Sequence, residues 1–437
     1  MTKIAILGAS GLIGQSIAEE LRRQGLEVAA LARRFATSQR GSFGGAAIEA
    51  PLVDLDAAAL SDLLDRCAAD IVVNCVGVLQ DGPDGAASEV HQRFVARLAA
   101  ASPERLVVHI SIPAPDAGET AFSHTKAAGE AALRASGCAF AIVRPGFVVA
   151  PIAYGGGALL RALAALGIGL PRKLGSAPFM ITAVGDIAAT VVTLARRFRA
   201  GERDMRFVWD VMSPERLAIE DVLAAFRLRL GGPPPFFSLP DWLLAIGGYA
   251  GDLAGRLGWR PPTRSTAIAE IRRGVSGDPR GWMEESRLAS HDLALAMQAI
   301  DAGVREKWFA RLYLWKGAAI VGLALFWIAT GVIALTSGFA EGRALMAKAT
   351  EGIGAGDGVA ALLTIATSLL DIAIGCAIAW RRSSRAGLVA SLAVTLAYLG
   401  AGTLLAPALW GGALGPYLKD LPLLLATLAA LAVSDDR

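Results

Sequence analysis

The feature that most constrains this chain of 437 residues is a set of long apolar runs in its last third. A helix needs about 20 consecutive apolar residues to cross the ~30 Å hydrocarbon layer of a membrane. Residues 312–338 contain one charged residue, Lys316, and residues 358–380 contain one, Asp371, whereas residues 386–410 contain none. A fourth run, 412–433, has Lys419 and Asp420 in its first half and is apolar afterwards. The sequence therefore predicts an all-α bundle of about four transmembrane helices over residues 312–437.

The turn between the second and third apolar runs predicts the orientation of this bundle. Arg381, Arg382 and Arg385 cluster there, and loops rich in Lys and Arg favour the cytoplasmic side. We therefore expect a multi-pass protein of a bacterial-type inner (cytoplasmic) membrane, with both termini and the N-terminal region in the cytoplasm. The first residues also lack the charged region and cleavage site of a signal peptide. The lipid bilayer is thus the first expected partner.

Charge and cysteine content argue against several other partners. The 42 basic and 39 acidic residues give a net charge of only +3, and no segment alternates basic and aromatic residues as nucleic-acid surfaces do. We expect no nucleic-acid partner. Four cysteines stand far apart without paired spacing, at Cys67, Cys75, Cys138 and Cys376. We expect reduced thiols and no metal site.

The first half of the chain alternates short apolar runs with segments of helical periodicity, which is typical of βαβ units. Strands are predicted at 3–7, 27–32, 71–75, 106–110 and 140–143, and helices include 12–24, 91–101 and 123–135. This pattern predicts an α/β doubly wound parallel sheet, a Rossmann domain, over residues 1–235. A small substrate lobe is expected within it, at about 151–230.

Residues 236–311 are predicted to form an amphipathic helical connector. The helix breaker GGPPP at 231–235 precedes them, and Phe236, Phe237 and Trp242 stand near their start. Two interpretations of 236–259 stay open. This segment packs against the Rossmann domain, or it lies in the membrane interface.

The strongest motif, GASGLIG at residues 8–14, follows the first predicted strand and begins the first predicted helix. In such a turn the first glycine allows the tight bend, the second lets backbone approach a pyrophosphate, and the third allows close helix packing. The phosphates then accept hydrogen bonds from N–H groups at the helix start. We predict a dinucleotide site formed here by Gly8, Ser10, Gly11, Leu12, Ile13 and Gly14.

Two arginines follow the second predicted strand. A Rossmann fold that prefers NAD usually offers an acid to the ribose hydroxyl at this point, but this chain offers Arg33 and Arg34. Guanidinium groups suit a 2′-phosphate. NADP(H) is therefore favoured over NAD(H); the alternative is that the two arginines only form a solvated loop.

Over roughly residues 2–230, these features resemble the atypical and extended short-chain dehydrogenase/reductase family. Asp54 and Leu55 in LVDLD are similar to the family's acidic segment near the adenine. The stretch Asn74-Cys75-Val76-Gly77 is similar to its N-x-x-G segment after the fourth strand. The resemblance implies that Asp54, Leu55, Cys75, Val76 and Gly77 help to bind the cofactor.

Further segments extend the resemblance toward the reacting end of the cofactor. Ser111 in HISIP stands where the family has its catalytic serine. Arg144-Pro145-Gly146 resembles the segment that contacts the nicotinamide, so Pro145 and Gly146 are expected in the cofactor site. Asp186 in VGDIA matches a second-lobe signature, which implies a structural role.

The departure from the family lies at its Tyr-x-x-x-Lys motif, where tyrosine transfers a proton and lysine lowers its pKa and binds ribose. This chain has Phe122-Ser-His-Thr-Lys126. Lys126 is present for catalysis or cofactor binding, but phenylalanine cannot act as a general acid or base. His124 points ~200° away from the direction of Phe122 on a helix, and Tyr154 in the lobe is a remote alternative donor.

From about residue 307 onward the chain resembles the DoxX-like family of small four-helix membrane proteins. The segments that carry this resemblance are EKWFARLYLWK, Leu370-Asp371-Ile372, and the YLKDLP that precedes the last helix. An acid inside a spanning helix usually faces the bundle interior or a polar path. We hypothesise that Asp371 pairs with Lys316; a proton or substrate role for Asp371 is the alternative.

Two functions are the main candidates from the sequence, and a transporter or channel whose helices are gated by the nucleotide domain is a third, less favoured one. The first is a membrane-anchored NAD(P)(H)-binding protein that acts as a redox sensor or as an accessory or assembly factor of a membrane complex. Members of the resembled family that lack the tyrosine, such as the nitrogen-regulator type, behave in this way. The alternative is an NADPH-dependent oxidoreductase acting on a hydrophobic or quinone-like membrane substrate. The missing tyrosine favours the first, and whether the chain is an enzyme stays open here.

Overall fold

The computed structural model describes residues 3–79, 86–351, 354, 356–405, 407–411 and 417–434. The chain forms two compact units. The first comprises Met1–Gly255 and Pro261–Arg311, and the second comprises Arg256–Arg260 and Leu312–Arg437.

The first unit is built on a seven-stranded sheet whose neighbouring strands all pair in parallel. Its strands are β1 Lys3–Leu7, β2 Glu27–Ala32, β3 Ala47–Glu49, β4 Ile71–Asn74, β5 Leu106–Ile110, β6 Ala139–Pro145 and β10 Arg206–Val211. Their spatial order is β10-β6-β5-β4-β1-β2-β3. Strand order reverses beside β1, so the chain forms a crevice at the carboxyl ends of β1 and β4, where doubly wound folds bind ligands. The predicted Rossmann fold is confirmed.

Four short strands form two small parallel pairs outside this sheet. They are β7 Phe147–Val149, β8 Ile168–Gly169, β9 Ile181–Ala183 and β11 Phe237–Ser238; β7 pairs with β9, and β8 pairs with β11. The helices of the first unit are α1 Leu12–Arg23, α2 Thr37–Phe43, α3 Ala57–Arg66, α4 Phe94–Ala100, α5 Ala121–Arg134, α6 Gly155–Leu166, α7 Arg172–Gly175, α8 Val184–Arg199, α9 Ile219–Leu230, α10 Asp241–Arg256, α11 Ser265–Arg273, α12 Arg280–Ser286 and α13 Leu293–Gln298.

The sheet is buried on both faces, which explains why its strands are continuously apolar rather than alternating. In β1, Ile4 and Ile6 belong to one core cluster, whereas Ala5 and Leu7 belong to a second cluster on the opposite face. A β-strand places successive side chains on opposite faces, so each face of β1 packs against its own layer of helices.

The predicted connector is largely part of this first unit. Trp282 on α12 is fully buried in the core, and its Nε1 donates to Thr190 Oγ1 on α8 at 3.0 Å. Two sheet strands were also not predicted. β3 has only three residues, and β10 lies inside the region that the sequence assigned to the lobe.

The second unit is helical. Its helices are α14 Val304–Leu335, which begins in the first unit, α15 Phe339–Thr350, α16 Asp357–Ala379, α17 Ser384–Leu405 and α18 Asp420–Ala432. Within the described residues, three of them, α14, α16 and α17, are long and apolar enough to cross a membrane. α18 has 13 residues and spans ~20 Å, which is less than the ~30 Å of a hydrocarbon layer. The expected fourth span is thus shorter than predicted, and residues 412–416 of it lie outside the described part of the chain.

The predicted pair between Asp371 and Lys316 is wrong. Asp371 on α16 accepts a hydrogen bond from the hydroxyl of Tyr398 on α17 at 3.1 Å. Lys316 on α14 donates to the backbone oxygen of Ser434 at 3.0 Å. The acid therefore joins two neighbouring membrane helices through a tyrosine, which the spacing of charges along the sequence does not indicate.

Candidate dinucleotide site

The glycine turn between β1 and α1 is shaped to receive backbone-bound phosphates. Gly8 has a φ of +83°, a left-handed conformation that side chains disfavour. A Cβ on Gly14 would lie 2.4 Å from the carbonyl oxygen of Gly8, so α1 packs against the turn at a distance that only glycine allows. Gly11 precedes α1 without a side-chain cap, which leaves the first-turn amides of Leu12, Ile13 and Gly14 without helical acceptors. These residues fit a diphosphate.

The end of β4 closes the other side of this turn. A Cβ on Gly8 would lie 2.9 Å from the carbonyl carbon of Cys75, so the two loops nearly touch. Asn74 is fully buried, and its Oδ1 accepts from the backbone N–H of Val76 at 3.1 Å. This hydrogen bond fixes the loop that carries Cys75, Val76 and Gly77. Burial raises the pKa of the Cys75 thiol to about 12, so it stays protonated and is not a nucleophile.

Lys126 brings the middle of α5 to the ends of β4 and β5. Its amine is buried and donates to the carbonyl oxygen of Ile110 at 3.1 Å. A Cβ on Gly77 would lie 3.7 Å from its Nζ, so the absence of a side chain there leaves room beside the amine. Burial lowers the pKa of Lys126 to about 8. The amine thus remains a hydrogen-bond donor at neutral pH, next to the dinucleotide crevice.

Ser111 follows β5 directly and is buried. Its backbone N–H donates to Val143 O at 2.8 Å, but its Oγ has no hydrogen-bond partner in the described structure. Buried hydroxyls are normally paired. The unpaired Ser111 hydroxyl, at the carboxyl end of a central parallel strand, could therefore bind a polar group of a ligand. Ser111 directly follows Ile110, whose carbonyl oxygen accepts from Lys126.

The ring of Phe122, at the position of the family's tyrosine, packs edge-on against the ring of His91 with centroids 5.4 Å apart. His91 was not predicted as a site residue. Its Nε2 accepts from the backbone N–H of Val78 at 3.1 Å. Thr125 Oγ1 donates to Phe122 O at 3.0 Å, so His91 Nδ1 must carry the proton of the 2.9 Å contact with Thr125.

His91 cannot replace the missing tyrosine. Both of its ring nitrogens are engaged, and burial with the nearby Lys126 charge lowers its pKa to about 3. It is therefore a neutral, structural histidine at any ordinary pH. His124 is exposed on α5, and Tyr154, at the start of α6, is 39% exposed. His91 therefore does not take the place of a proton donor beside Lys126.

The region after β2 contains the two predicted arginines and an acid that was not predicted. Arg33 and Arg34 are exposed. Glu49, at the end of β3, accepts from the backbone N–H of Phe35 and from Arg40, each at 2.7 Å. These hydrogen bonds, the Phe35 one first, lower the pKa of Glu49, which keeps it ionised. The charges of Arg40 and Arg34 lower this pKa further.

The remaining predicted residues fall into two groups. Asp54, which ends a short 3-10 turn, is exposed, and Leu55 is half-buried beyond it. Gly146 donates its N–H to Thr182 Oγ1 at 2.8 Å, and a Cβ there would lie 2.4 Å from Met180 O. Gly146 thus lets the chain pass from Pro145 at the end of β6 into β7.

Arg144 and Asp186 hold the framework together. Arg144 forms two hydrogen bonds with the buried carboxylate of Glu130 on α5, one of them at 2.9 Å from its Nε. It therefore fixes α5 to β6 rather than pointing at a ligand. Asp186 is buried and accepts from the backbone N–H of His291 at 3.1 Å, and it also contacts the His291 ring.

A cavity of about 540 Å³ lies beside the first turn of α5. Thr120 borders it from α5, Ala245 and Tyr249 from α10, and Ile268 and Glu270 from α11. Glu270 holds α11 on α5, because it accepts from Ser123 Oγ at 2.8 Å and from the hydroxyl of Thr120. The segment predicted as a connector therefore forms one wall of the cavity beside the start of α5.

The fold and this crevice define the class of dinucleotide-binding Rossmann proteins, here joined to a membrane bundle. Residues 8–159 match the family described as NAD(P)H-binding, and residues 324–428 match the DoxX-like family. The chain therefore combines an NAD(P)H-binding domain with a DoxX-like domain, and both predicted resemblances are confirmed.

Solved structures share the fold of the first unit. The enzyme WbmG of Bordetella bronchiseptica, in complex with NAD, is 18% identical with a TM-score of 0.51, covering 68% of this chain and 92% of that protein. UDP-glucuronic acid 4-epimerase from Bacillus cereus is 15% identical with a TM-score of 0.50, covering 71% and 100%. UDP-glucose 4-epimerase of Thermus thermophilus is 17% identical with a TM-score of 0.50, covering 68% and 98%. No curated protein matches the chain.

Proposed function

We propose that this chain is a membrane-anchored NAD(P)(H)-binding protein that senses the redox state of the cofactor or serves as an accessory or assembly factor of a membrane complex. It does not act as an ordinary tyrosine-dependent carbonyl reductase. The observation that carries this proposal is the packing of Phe122 on His91: Phe122, at the position of the proton donor, has no hydroxyl, and the N–H of the His91 ring is engaged with Thr125 Oγ1.

Under this proposal, the groups predicted to bind the cofactor keep their binding roles. The amides at the start of α1 hold the diphosphate, Lys126 donates to the ribose, and Ser111 faces the nicotinamide end. NAD(P)H supplies a hydride when bound. Reduction of a carbonyl also needs a proton on the developing alkoxide, and Phe122 has no hydroxyl from which to give one.

We further propose that the cofactor is NADP(H). Arg33 and Arg34 are exposed at the end of β2, where the 2′-position of the adenosine ribose lies in Rossmann folds. Two guanidinium groups would bind a phosphate bidentately. We expect the double variant R33A/R34A to lose about tenfold in NADPH affinity, about 1.4 kcal/mol, and little in NADH affinity. Equal losses for the two cofactors would contradict the NADP(H) assignment.

The membrane orientation is also a proposal. The arginines that follow α16 favour the cytoplasmic side, which places the first unit where NADPH is available. A reporter fused to the C-terminus tests it: green fluorescent protein should fluoresce there and alkaline phosphatase should stay inactive. The reverse pattern would contradict the placement.

A second function is favoured by two observations. The Ser111 hydroxyl is buried and unpaired, and the cavity between α10 and α11 adjoins the first turn of α5. Both suit an NADPH-dependent oxidoreductase with a hydrophobic or quinone-like acceptor. A quinone can take its protons from water, so Phe122 does not prevent this reaction.

A turnover experiment separates the two functions. Purified full-length protein in detergent would be mixed with NADPH and panels of aldehydes and quinones, after binding has been measured by calorimetry. We expect binding that weakens in Lys126→Ala and no aldehyde turnover. Steady quinone turnover that Lys126→Ala abolishes would establish the second function instead of the first.

Phe122→Tyr tests whether only the proton donor is missing. The new hydroxyl would stand four residues before Lys126 on α5, so we expect this variant to gain aldehyde reductase activity. Phe122→Leu is the matched control and should gain none. Aldehyde turnover by the unaltered protein would refute the primary proposal.

A further inference from the structure

Helix α10 exposes four of its six large apolar side chains and buries three of its glycines. Trp242, Ile246, Tyr249 and Leu253 recur at intervals of four, three and four residues, which places them on one helix face. They are 64%, 54%, 75% and 59% exposed, respectively. We refer to these four residues as the outer face. An amphipathic helix on the surface of a water-soluble protein packs its apolar face against the core. In α10 the apolar face is instead exposed.

The opposite face of α10 explains why it cannot rotate. Gly248, Gly251 and Gly255 are its buried residues. A Cβ on Gly251 would lie 2.5 Å from Thr263 O, and one on Gly248 would lie 3.1 Å from Ile268 Cδ1. The residues before and within α11 approach α10 so closely that only glycine fits. The outer face is therefore directed outward by its own packing.

The chain that follows α10 is held at the end of a membrane helix. The indole Nε1 of Trp259 donates to Ala379 O at 2.8 Å, and the backbone N–H of Arg381 donates to Leu257 O at 3.1 Å. Ala379 is the last residue of α16 and Arg381 belongs to the arginine-rich turn after it. A helix that spans a bilayer ends near the lipid headgroups, and α10 ends at Arg256, the residue directly before Leu257.

The chemistry of the outer face matches that level. Trp and Tyr concentrate at membrane–water interfaces because their rings are apolar and carry one polar group. Phe236 and Phe237 lie a few residues before the start of α10 and are exposed as well. Arg256, at the end of the helix, is exposed and suits lipid phosphates. A soluble partner protein would not require the helix to end at headgroup level.

We propose that α10 is an interfacial helix whose outer face lies in the headgroup and upper acyl region of the same bilayer that α14, α16 and α17 span. The proposal does not depend on cofactor turnover. It gives the first unit an attachment to the membrane besides its covalent connection to α14.

Spin-label accessibility tests the proposal on the full chain in phosphatidylcholine nanodiscs. One label is placed at Ile246→Cys, in a Cys376→Ser background. The matched control is Leu228→Cys on α9, an apolar residue that is 87% exposed between two arginines. We expect the label at 246 to collide with oxygen and to be about tenfold less accessible to a water-soluble nickel chelate than the control.

Two results would overturn the inference. If the chelate reaches both labels equally, the outer face lies in water. If neither oxygen nor the chelate reaches position 246, a second copy of the chain or another protein covers the face. The variant W242E/Y249E provides an independent check: its thermal stability should be unchanged because these side chains are exposed, while chelate access at 246 should rise to the level of the control. Unchanged access in that variant would also contradict lipid contact.

Discussion

Replacement of the buried amine of Lys126 by a neutral chain of similar length should stabilise the protein without ligand. The pKa of Lys126 is lowered from 10.5 to about 8, and this lowering corresponds to about 3 kcal/mol of unfavourable free energy for the charged, folded form at pH 7. Lys126→Met removes this cost but leaves Ile110 O without its donor, which costs about 1–2 kcal/mol. The expected net gain is about 1–2 kcal/mol, or about 2–8 °C in Tm.

The pH dependence gives this prediction a second, sharper readout. A lysine whose pKa is lower in the folded state binds more protons when the protein is unfolded, between about pH 8 and 10.5. Stability therefore rises with pH through this window. Integration from pH 7 to pH 9 gives an increase of about 1 kcal/mol in the free energy of unfolding from Lys126 alone. Lys126→Met should lose this component and no other.

A thiol-reactive fluorophore can follow unfolding of the first unit selectively. Cys67 and Cys138 are buried in its core, so they become reactive only when it unfolds, and Cys376→Ser removes the exposed thiol of the bundle. Lys173→Met, at an exposed lysine on α7, is the matched control and should change neither Tm nor its pH dependence. NADPH should raise the Tm of the unaltered chain more than that of Lys126→Met.

Two outcomes would refute this reasoning. A lower Tm for Lys126→Met at pH 7 would show that the amine stabilises the ligand-free fold. If the change in Tm between pH 7 and pH 9 is the same for Lys126→Met as for the unaltered protein, Lys126 does not titrate in that range.

Three further predictions concern the turn, the lobe and the bundle. Gly14→Ala should weaken NADPH binding about tenfold, about 1.4 kcal/mol, in calorimetry, because its Cβ would lie 2.4 Å from Gly8 O; Gly41→Ala, which meets no atom within 4 Å, should not. Glu306→Ala should lower the unfolding free energy by about 3 kcal/mol, because it leaves the charge of Arg161 buried without its partner: Arg161 is 2% exposed and its Nη1 lies 2.7 Å from Glu306 Oε1. The double variant R161M/E306L removes both charges and should recover most of the loss in Tm. If it does not, desolvation of the unpaired arginine is not the cause of the loss. Asp371→Asn keeps an oxygen acceptor for the hydroxyl of Tyr398, so the Tm of the bundle should stay the same in scanning fluorimetry of the full chain. Asp371→Leu removes the acceptor and should lower this Tm. Equal Tm values for the two variants would exclude a role for this hydrogen bond.

The glycine turn and the strands around it could be predicted because their signals are local. The positive φ of Gly8 and the contact between Gly14 and Gly8 O arise within a few residues, and β1 and β5 are short, mostly apolar runs. β3 was missed because its three residues are too few to show an alternation of apolar and polar side chains. β10 was missed because it comes after the helices and short strands of the predicted lobe, which interrupt the βαβ order. Tertiary pairing decides such strands.

The side chains around Phe122 could be predicted only in part. Lys126 follows from its spacing, but His91 comes from the helical turn before α4, 31 positions earlier in sequence than Phe122, and nothing local indicates the contact. Asp371 was assigned the wrong partner for the same reason. Charge alone suggested Lys316, whereas the rotation of α16 and α17 presents the acid to Tyr398.

Two unfavourable features at the end of β5 argue that the crevice is kept for a ligand. Lys126 is buried at a cost of about 3 kcal/mol when charged, and Ser111 Oγ is buried without a partner, at a cost of about 1–3 kcal/mol. A Rossmann domain that served only as a scaffold would be more stable with apolar residues at both positions. By contrast, the Phe122 and His91 pair is fully compatible with a stable interior. This distribution of costs supports the proposal that the protein binds the dinucleotide without reducing a carbonyl.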